Sequence, residues 1–473
     1  MYRLILFGAG GYLRDRIDEV FSFPDTQIIG MSDNNKQLFG TLINGVIVEP
    51  LEKFSDDQYD YIVITSLYAD DIARDLEKKG YLGEKIKRLY EYGLYLRKDD
   101  FLFFSSKTTE ATDESEPVKS ALIVSVDLTF NGASIAAAYM LMALQRVGYQ
   151  AAMASYMGEE SFIEYLNSKG IDAWICPNIL YEKHCDLEWF NRYDLIIAND
   201  LVVHNFIRNY SGRKIIWWLH ESDRVYEEES KLWGRIDSDI WDKTRVFCVS
   251  KGAEENYHRY YPEIEAGILE YGIPDMLNSD AVDIQREQTG KDKLIFALIG
   301  FVGERKGQDI FLNAVSQLGD IRDQVEFWII GRILEGEYSD NVLSRAEMLG
   351  NVKVMGERTQ NEVDELYREI DVVVSASRND PLPIVITEAM MHEKACIIPD
   401  IIGTNRYIDS EKDMMVYETG NSRALAECIR RLNTNRDLLA RYGKRGRAVY
   451  EKKFSMDAFS KRILRAVEKV QGN

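Results

Sequence analysis

Two cations stand beside a glycine-rich turn in the C-terminal half of the sequence. In the segment IGFVGERKGQDIF an apolar run ends at Gly300 and Gly303, and Arg305 and Lys306 precede Gly307, where a helical pattern begins. Cations beside the exposed N–H groups of a helix start suit the charge of a diphosphate. The competing interpretation is an exposed Arg-Lys pair at a surface turn.

Two acids and a histidine also occupy positions suited to chemistry. Asp380 and Glu388 lie eight positions apart in SRNDPLPIVITEAMM, around a proline-containing turn that runs into a helix. Taken alone, Glu388 is typical of a carboxylate near a helix N-terminus that interacts with the helix dipole. His220 ends the apolar run IIWWLH, and a structural histidine is the usual alternative to a functional one. We expect Trp217 and Trp218 of this run to be core residues.

A further candidate site lies at the start of the sequence. The segment FGAGGYLRDRI follows an apolar strand and supplies Gly8 and Gly10 of a dinucleotide-type fingerprint. Asp33 ends the second predicted strand, where a ribose partner would lie. Leu13 stands at the position of the third glycine, so the fingerprint is incomplete. A nucleotide site and a purely structural or oligomerising domain both remain open.

Three units of alternating strand and helix must position these residues. Apolar runs alternate with amphipathic segments, which predicts an α/β protein with parallel, doubly wound sheets. The acidic, aperiodic segment SSKTTEATDESEP is typical of a linker. The predicted division is a small Rossmann-like domain at 1–105, a linker at 106–118, doubly wound domains at 119–285 and 286–454, and a helix at 455–473. Two such adjacent domains would form a cleft at the carboxyl ends of their strands.

Composition excludes several classes of function. The formal net charge of −20 opposes general binding to nucleic acid or to an anionic membrane. We find no run near the roughly 20 apolar residues of a membrane helix, and MYRLILFGAGG leads into a strand rather than a cleavage site, so we expect a cytoplasmic protein. The five cysteines are scattered without a Cys-x-x-Cys pair, which predicts neither a disulfide framework nor a zinc site.

The ordered series of segments resembles the family-4-type retaining glycosyltransferases (glycosyltransferase group 1) over roughly residues 119 to 473. Gly132 in TFNGAS, His220 in WWLHE, VFCVSKGAEE, LEYGIPD, ERKG, FWIIGR and the acidic pair follow in the order of that family. The resemblance implies a GT-B fold, in which two doubly wound Rossmann-like domains face a cleft and the last helix crosses back to the first of them. The N-terminal segments GAGG, SDNN, INGVIVEP and DYIVITS are similar to the small domain of bacterial sugar O-acetyltransferases that holds a nucleotide sugar.

The resemblance implies how the donor diphosphate would be held. Lys306 with Arg305 would neutralise it, and backbone amides near Ile384 and Val385 would bind the same phosphates, so that no metal and no cofactor are expected. Phe301 stands near the position where many relatives carry an arginine, and Arg305 would then replace that charge.

The acidic pair and the histidine receive roles from the same resemblance. Glu388 would accept hydrogen bonds from the ribose hydroxyls, and Asp380 would hold hydroxyls of the transferred sugar. The family usually has Glu at the position of Asp380, and Asn379 would be able to share this task. His220 would face the donor sugar.

The implied reaction is front-face transfer, with retained configuration, of a hexose or N-acetylhexosamine from a nucleoside-diphosphate sugar, with uridine as the expected base. Gly132 would let its loop approach donor or acceptor closely, and Arg358 would lie near the base unless it is a plain surface arginine. The expected partners are the nucleotide sugar and a polysaccharide-precursor, glycolipid or glycoprotein acceptor, with peripheral association at the inner membrane face and homo-oligomerisation through the N-terminal domain left open. A nucleotide-sugar epimerase and a non-catalytic GT-B partner of another transferase remain the alternatives.

Overall fold

The computed structural model describes residues 1–96, 100–106, 119–180, 188–210, 212–227, 238–277, 293–410 and 412–471. Almost all of the predicted linker, residues 107–118, and the predicted boundary at 285–286 lie outside these ranges. The described chain folds around three separate, mainly parallel sheets, and we call the units that they form the N-terminal, middle and C-terminal units.

The N-terminal unit contains a four-stranded parallel sheet and a small two-stranded antiparallel sheet. Its strands are β1 (Tyr2–Phe7), β2 (Thr26–Ser32), β3 (Leu42–Ile43), β4 (Val46–Ile47), β5 (Tyr61–Ile64) and β6 (Ile86–Arg88). Its helices are α1 (Gly11–Arg14), α2 (Ile17–Phe21), α3 (Ala69–Lys78) and α4 (Leu89–Leu96). The parallel sheet has the order β2-β1-β5-β6, and the inner residues of β1 and β5 are buried on both faces, which explains their continuous apolar runs.

The middle unit contains an eight-stranded sheet. Its strands are β7 (Leu102–Phe104), β8 (Lys119–Val124), β9 (Tyr149–Ser155), β10 (Ile171–Ile175), β11 (Leu195–Asn199), β12 (Ile215–Leu219), β13 (Thr244–Cys248) and β14 (Ala266–Ile268). Its helices are α5 (Gly132–Gln145), α6 (Glu160–Ser168), α7 (His204–Asn209), α8 (Ser238–Lys243) and α9 (Lys251–Tyr260). The order is β14-β13-β12-β11-β8-β9-β10-β7.

Strand β7 does not belong to the sheet that its sequence position predicts. The predicted boundary places it in the first domain, whereas it pairs antiparallel with β10 of the middle unit. Aromatic packing explains the difference, because the rings of Phe101 and Phe103 lie 5.1 and 4.2 Å from that of Trp174 on β10. The boundary at residue 105 therefore falls too late in the chain.

The C-terminal unit contains a six-stranded parallel sheet in the order β17-β16-β15-β18-β19-β20. Its strands are β15 (Leu294–Ile299), β16 (Val325–Ile330), β17 (Val352–Gly356), β18 (Val372–Val374), β19 (Ala395–Pro399) and β20 (Met415–Tyr417). Its helices are α10 (Gln308–Val315), α11 (Glu337–Leu349), α12 (Gln360–Glu369), α13 (Ile384–Met391), α14 (Ser422–Thr434) and α15 (Arg436–Val449).

The last helix, α16 (Met456–Gln471), leaves the C-terminal unit and packs against α5 of the middle unit. The Ser460 hydroxyl donates to the Ala143 carbonyl at 3.2 Å. Phe459, Ile463 and Val467 lie on one face of this helix and are at most 3% exposed, so this face is buried. The three sheets confirm the predicted α/β fold class. In the described part of the chain, no helix combines the length and apolarity that crossing a membrane requires.

Candidate functional site

The loop after β15 brings Arg305 and Lys306 to the carboxyl end of the C-terminal sheet. Gly307, which follows them, has φ 71° and precedes α10. A Cβ at this position would lie 2.0 Å from the Ala376 carbonyl oxygen, so only glycine fits between the loop and the neighbouring chain. The glycine after the two cations therefore lets this loop lie against the segment that follows β18.

Gln308, which sequence analysis did not identify, holds the same loop from inside. Its fully buried amide accepts a hydrogen bond from the Gly303 N–H at 3.2 Å and donates to the Phe301 carbonyl at 2.9 Å. The Arg305 guanidinium lies 5.3 Å from the centroid of the Phe301 ring. Phe301 therefore contributes a ring face to the cation rather than the charge that an arginine would supply.

Both cations contact Asp380. The Lys306 Nζ donates to Asp380 Oδ2 at 2.8 Å and the Arg305 Nη1 donates to the same oxygen at 3.3 Å. The Arg305 Nη1 also reaches the Asn379 carbonyl at 3.3 Å. Burial alone would raise the pKa of Asp380, but Lys306 and Arg305 outweigh it and hold this pKa below its ordinary value. The predicted diphosphate cations and the predicted sugar-binding acid thus form one ion-paired cluster.

Helix α13 begins at Ile384, four residues after Asp380 of this cluster. Its N-cap residue is Pro383, and no side chain caps this end of the helix among the described residues. The first amides, those of Ile384 and Val385, have no intrahelical acceptor because they belong to the first turn. An uncapped helix N-terminus next to two cations suits an anionic ligand.

Glu388 lies in the second turn of α13 and is 5% exposed. The alternative interpretation of Glu388, as a carboxylate near a helix N-terminus of the kind that is frequent at protein surfaces, is therefore wrong, because the side chain is buried. The hydroxyl of Tyr367, on α12, lies within hydrogen-bonding distance of Glu388 Oε2 at 3.3 Å and of the Val385 carbonyl at 3.1 Å. The Tyr367 ring stacks on His392 at 4.4 Å between centroids. Sequence analysis missed Tyr367, because nothing in its local pattern distinguishes it from a core tyrosine.

His220 directly follows β12 at the carboxyl edge of the middle sheet. Its Nε2 lies 3.1 Å from Asn199 Oδ1, and its ring meets Trp218 edge-on at 4.2 Å. Because an amide oxygen only accepts, Nε2 carries the proton in this contact. Burial lowers the pKa of His220 to about 3, so the ring is neutral near pH 7. Trp217 and Trp218 are fully buried, as expected.

Substituting His220 by glutamine should reduce the loss of stability in acid. The folded-state pKa of about 3 lies below the ordinary value of 6.5, so between these pH values the unfolded chain binds a proton that the folded chain does not. This contribution is complete above pH 6.5 and is lost as the pH falls. Calorimetry at pH 7 and 5 should show a melting temperature that falls about 2 °C further in the wild type than in His220→Gln. Equal falls in both proteins would contradict the burial of a neutral imidazole.

Two further predicted site residues, Gly132 and Arg358, do not belong to the ion-paired cluster. Gly132 is the first residue of α5, and a Cβ placed on it would meet nothing within 4 Å. Space is therefore open in front of this glycine. Arg358 is exposed after β17, where its Nη1 donates to the Glu357 carbonyl at 3.3 Å.

The N-terminal glycine turn is built around Asp33. Its Oδ2 accepts a hydrogen bond from the Ala9 N–H at 2.7 Å, which fixes the turn between β1 and α1. Gly8 has φ 115°, and a Cβ there would lie 2.7 Å from the Thr65 carbonyl oxygen, whereas Gly10 faces open space. Asp33 therefore supports the turn itself, and its predicted contact with a ribose stays a prediction.

Two segments of the chain match known protein families. Residues 281–449 match the family described as Glycosyl transferases group 1, and residues 1–87 match C2185-like, N-terminal. An alpha-D-kanosaminyltransferase of Streptomyces kanamyceticus is 22% identical over 52% of this chain and 68% of its own length. The phosphatidylinositol N-acetylglucosaminyltransferase GPI3 subunit of Saccharomyces cerevisiae is 20% identical over 38% of this chain and 40% of its own length.

Solved structures share the architecture of the middle and C-terminal units. Anabaena HepE in complex with UDP and glucose aligns with a TM-score of 0.61 at 19% identity, covering 74% of this chain and all of that one. A glycosyltransferase from Rickettsia africae aligns with a TM-score of 0.61 at 15% identity, covering 75% of this chain and 99% of that one. The two facing units therefore have the GT-B fold.

The fold and the group 1 domain define the class of protein: the chain is a glycosyltransferase of GT-B architecture. The match to the group 1 family and the similarity to a glycosyltransferase support transfer over the alternative activities. The family-4 type, the retaining mechanism and the acetyltransferase-like nature of the N-terminal unit stay predictions.

Proposed function

We propose that this enzyme transfers a hexose or N-acetylhexosamine from a nucleoside-diphosphate sugar, with uridine as the base, to a polysaccharide precursor, glycolipid or glycoprotein. The observation that carries the proposal is that Lys306 and Arg305 both contact Asp380, which lies four residues before the uncapped start of α13. Fixed cations and helix amides stabilise a departing diphosphate without needing a metal.

Lys306 would contact groups on both sides of the bond that breaks, which joins the sugar to the diphosphate. Its ammonium has three N–H donors, and the contact with Asp380 uses one of them, so the others are able to bind phosphate oxygens. Asp380 would then hold sugar hydroxyls while Lys306 stabilises the negative charge that develops on the leaving group. Their ion pair would hold the sugar-binding carboxylate and the phosphate-binding ammonium at a fixed distance from each other.

In this proposal the anomeric carbon keeps its configuration because the acceptor attacks from the front face. The acceptor hydroxyl would approach the anomeric carbon from the side on which the diphosphate leaves, and the leaving phosphate would take the hydroxyl proton. His220, neutral because its pKa is about 3, would hydrogen-bond a sugar hydroxyl rather than contribute positive charge. The UDP complexes of HepE support uridine as the base. The likeness to WaaG, which acts in lipopolysaccharide biosynthesis, supports an acceptor of the cell surface.

Calorimetric titration of the full-length protein with UDP, GDP and ADP, each with EDTA and with Mg²⁺, tests the donor site. We expect UDP to bind best and with equal affinity in both conditions. Binding that requires Mg²⁺ would contradict metal independence, and the failure of all three nucleotides to bind would refute the donor site. NMR of the product formed from an α-linked UDP-sugar then tests retention, because a β-linked product would exclude it.

A further inference from the structure

The segment between β18 and α13, residues 375–383, is a donor loop that is held mainly through its carbonyl groups. Pro381 and Pro383 have no N–H, so this end of the loop has few backbone N–H groups with which to form hydrogen bonds. Three consecutive carbonyls instead accept hydrogen bonds: that of Asp380 from the Gly403 N–H at 3.0 Å, that of Pro381 from the Ser250 hydroxyl at 2.6 Å, and that of Leu382 from the Tyr271 hydroxyl at 3.1 Å.

Two of the three groups that donate these hydrogen bonds, the Ser250 and Tyr271 hydroxyls, belong to the middle unit rather than to the unit that contains the loop. Ser250 follows β13 and is fully buried, and its Oγ also accepts from the Ala253 N–H at 3.0 Å, which caps α9. Tyr271 follows β14 and is 1% exposed. The carboxyl edges of the two sheets are therefore joined at the donor loop.

Tyr271 also reaches the helix that follows the loop. Its hydroxyl lies 3.1 Å from Thr387 Oγ1, the residue before Glu388. Burial raises the pKa of Tyr271 well above its ordinary value, so the phenol keeps its proton and remains a donor. One hydroxyl of the middle unit thus contacts both the end of the donor loop and the helix that carries Glu388.

The loop has little room to shift sideways. A Cβ at Gly403 would lie 1.6 Å from the Pro381 carbonyl oxygen, so the backbone of residue 403 lies directly against this oxygen on the side of the C-terminal unit. The Ser250 hydroxyl contacts the same oxygen from the middle unit. The position of this carbonyl is therefore set jointly by the two units.

We propose that Ser250 and Tyr271 are positioning residues, which couple the arrangement of the two units to the geometry of the donor site; this inference rests on the proposed function. The donor loop carries Asp380 and leads directly into α13, with its first amides and Glu388. Withdrawal of the middle unit would free the Pro381 and Leu382 carbonyls, and the groups that hold sugar, phosphate and ribose would lose their common support.

The test compares Tyr271→Phe and Ser250→Ala with a matched control, Tyr450→Phe. Tyr450 is also 1% exposed, and its hydroxyl donates to the Ile273 carbonyl at 3.1 Å, so it joins the two units through a carbonyl that is not part of the donor loop. We expect Tyr271→Phe and Ser250→Ala each to weaken UDP binding and raise the donor KM about fivefold to tenfold, the scale of one lost buried hydrogen bond, with the acceptor KM unchanged. Tyr450→Phe should lower the melting temperature similarly and leave UDP binding unchanged.

The outcomes separate the two proposals. Absence of UDP binding by the wild-type protein would refute the proposed function and the inference with it. If the wild-type protein binds UDP while Tyr271→Phe and Ser250→Ala bind it equally well, the proposed function stands and the positioning role is overturned. A loss of UDP affinity as large in Tyr450→Phe would also overturn it, because the effect would then reflect general loosening of the junction.

Discussion

Lys306→Met should lower the rate of sugar transfer by about 100-fold to 1,000-fold, the cost of removing a fixed group that stabilises charge in the transition state. Lys306 is the less exposed of the two cations, with 14% of its side chain exposed against 37% for Arg305, so solvent screens its charge less. Initial rates at saturating acceptor, with a UDP-sugar donor, measure the effect. Arg305→Met is the matched control and should cost about tenfold or less, because its charge is more exposed.

The same substitution leaves the Asp380 carboxylate buried without its shorter ion pair. An uncompensated buried charge is costly, so part of any loss of activity in Lys306→Met could arise from misfolding. The double variant Lys306→Met with Asp380→Asn removes both charges and should recover most of the lost melting temperature without recovering the rate. A rate of Lys306→Met within a few-fold of the wild type would show that the cation does not assist departure of the diphosphate. Recovery of both stability and rate in the double variant would assign the effect to folding.

The sheets were predictable because their strands are buried on both faces. Runs such as LIFALI of β15 and VEFWII of β16 are apolar nearly throughout, which a parallel sheet covered by helices requires. The sheet to which β7 belongs was not predictable in this way. Its three residues follow the N-terminal unit in sequence but pair with a strand some seventy residues later. Its position depends on contacts with Trp174, which a local pattern does not contain.

The convergence of Lys306 and Asp380 could be anticipated only through the resemblance and the rule that carboxyl ends of parallel strands share one edge of a sheet. Sequence analysis does not predict the direct ion pair between them, across 74 positions of sequence, because the resemblance assigns the diphosphate to Lys306 and the sugar hydroxyls to Asp380. The supporting residues were missed altogether. Gln308, Tyr367, Ser250 and Tyr271 act through buried hydrogen bonds, and such partners leave no periodicity or spacing in a single sequence.

Glu388→Gln should weaken the binding of UDP by about tenfold, because a glutamine of the same shape loses one acceptor oxygen and the charge that strengthens hydrogen bonds from ribose hydroxyls. The substitution keeps the volume of the buried side chain, and the retained amide oxygen is still able to accept a hydrogen bond from the Tyr367 hydroxyl. Calorimetric titration measures the affinity. Asp364→Asn is the matched control, because Asp364 is a carboxylate on the neighbouring helix α12 that contacts His392 at 3.4 Å, and its loss should leave UDP affinity unchanged.

Titration with 2′-deoxy-UDP decides whether the ribose is the partner of Glu388. The wild-type protein should bind UDP more tightly than 2′-deoxy-UDP, and the preference should largely disappear in Glu388→Gln, because the carboxylate and the hydroxyl would contribute through the same hydrogen bond. A preference that survives unchanged in the variant would place the hydroxyl elsewhere. In that case Glu388 would act on UDP binding indirectly, through the groups packed around it, and the nucleotide would have to be oriented by the cations and the amides of α13 alone.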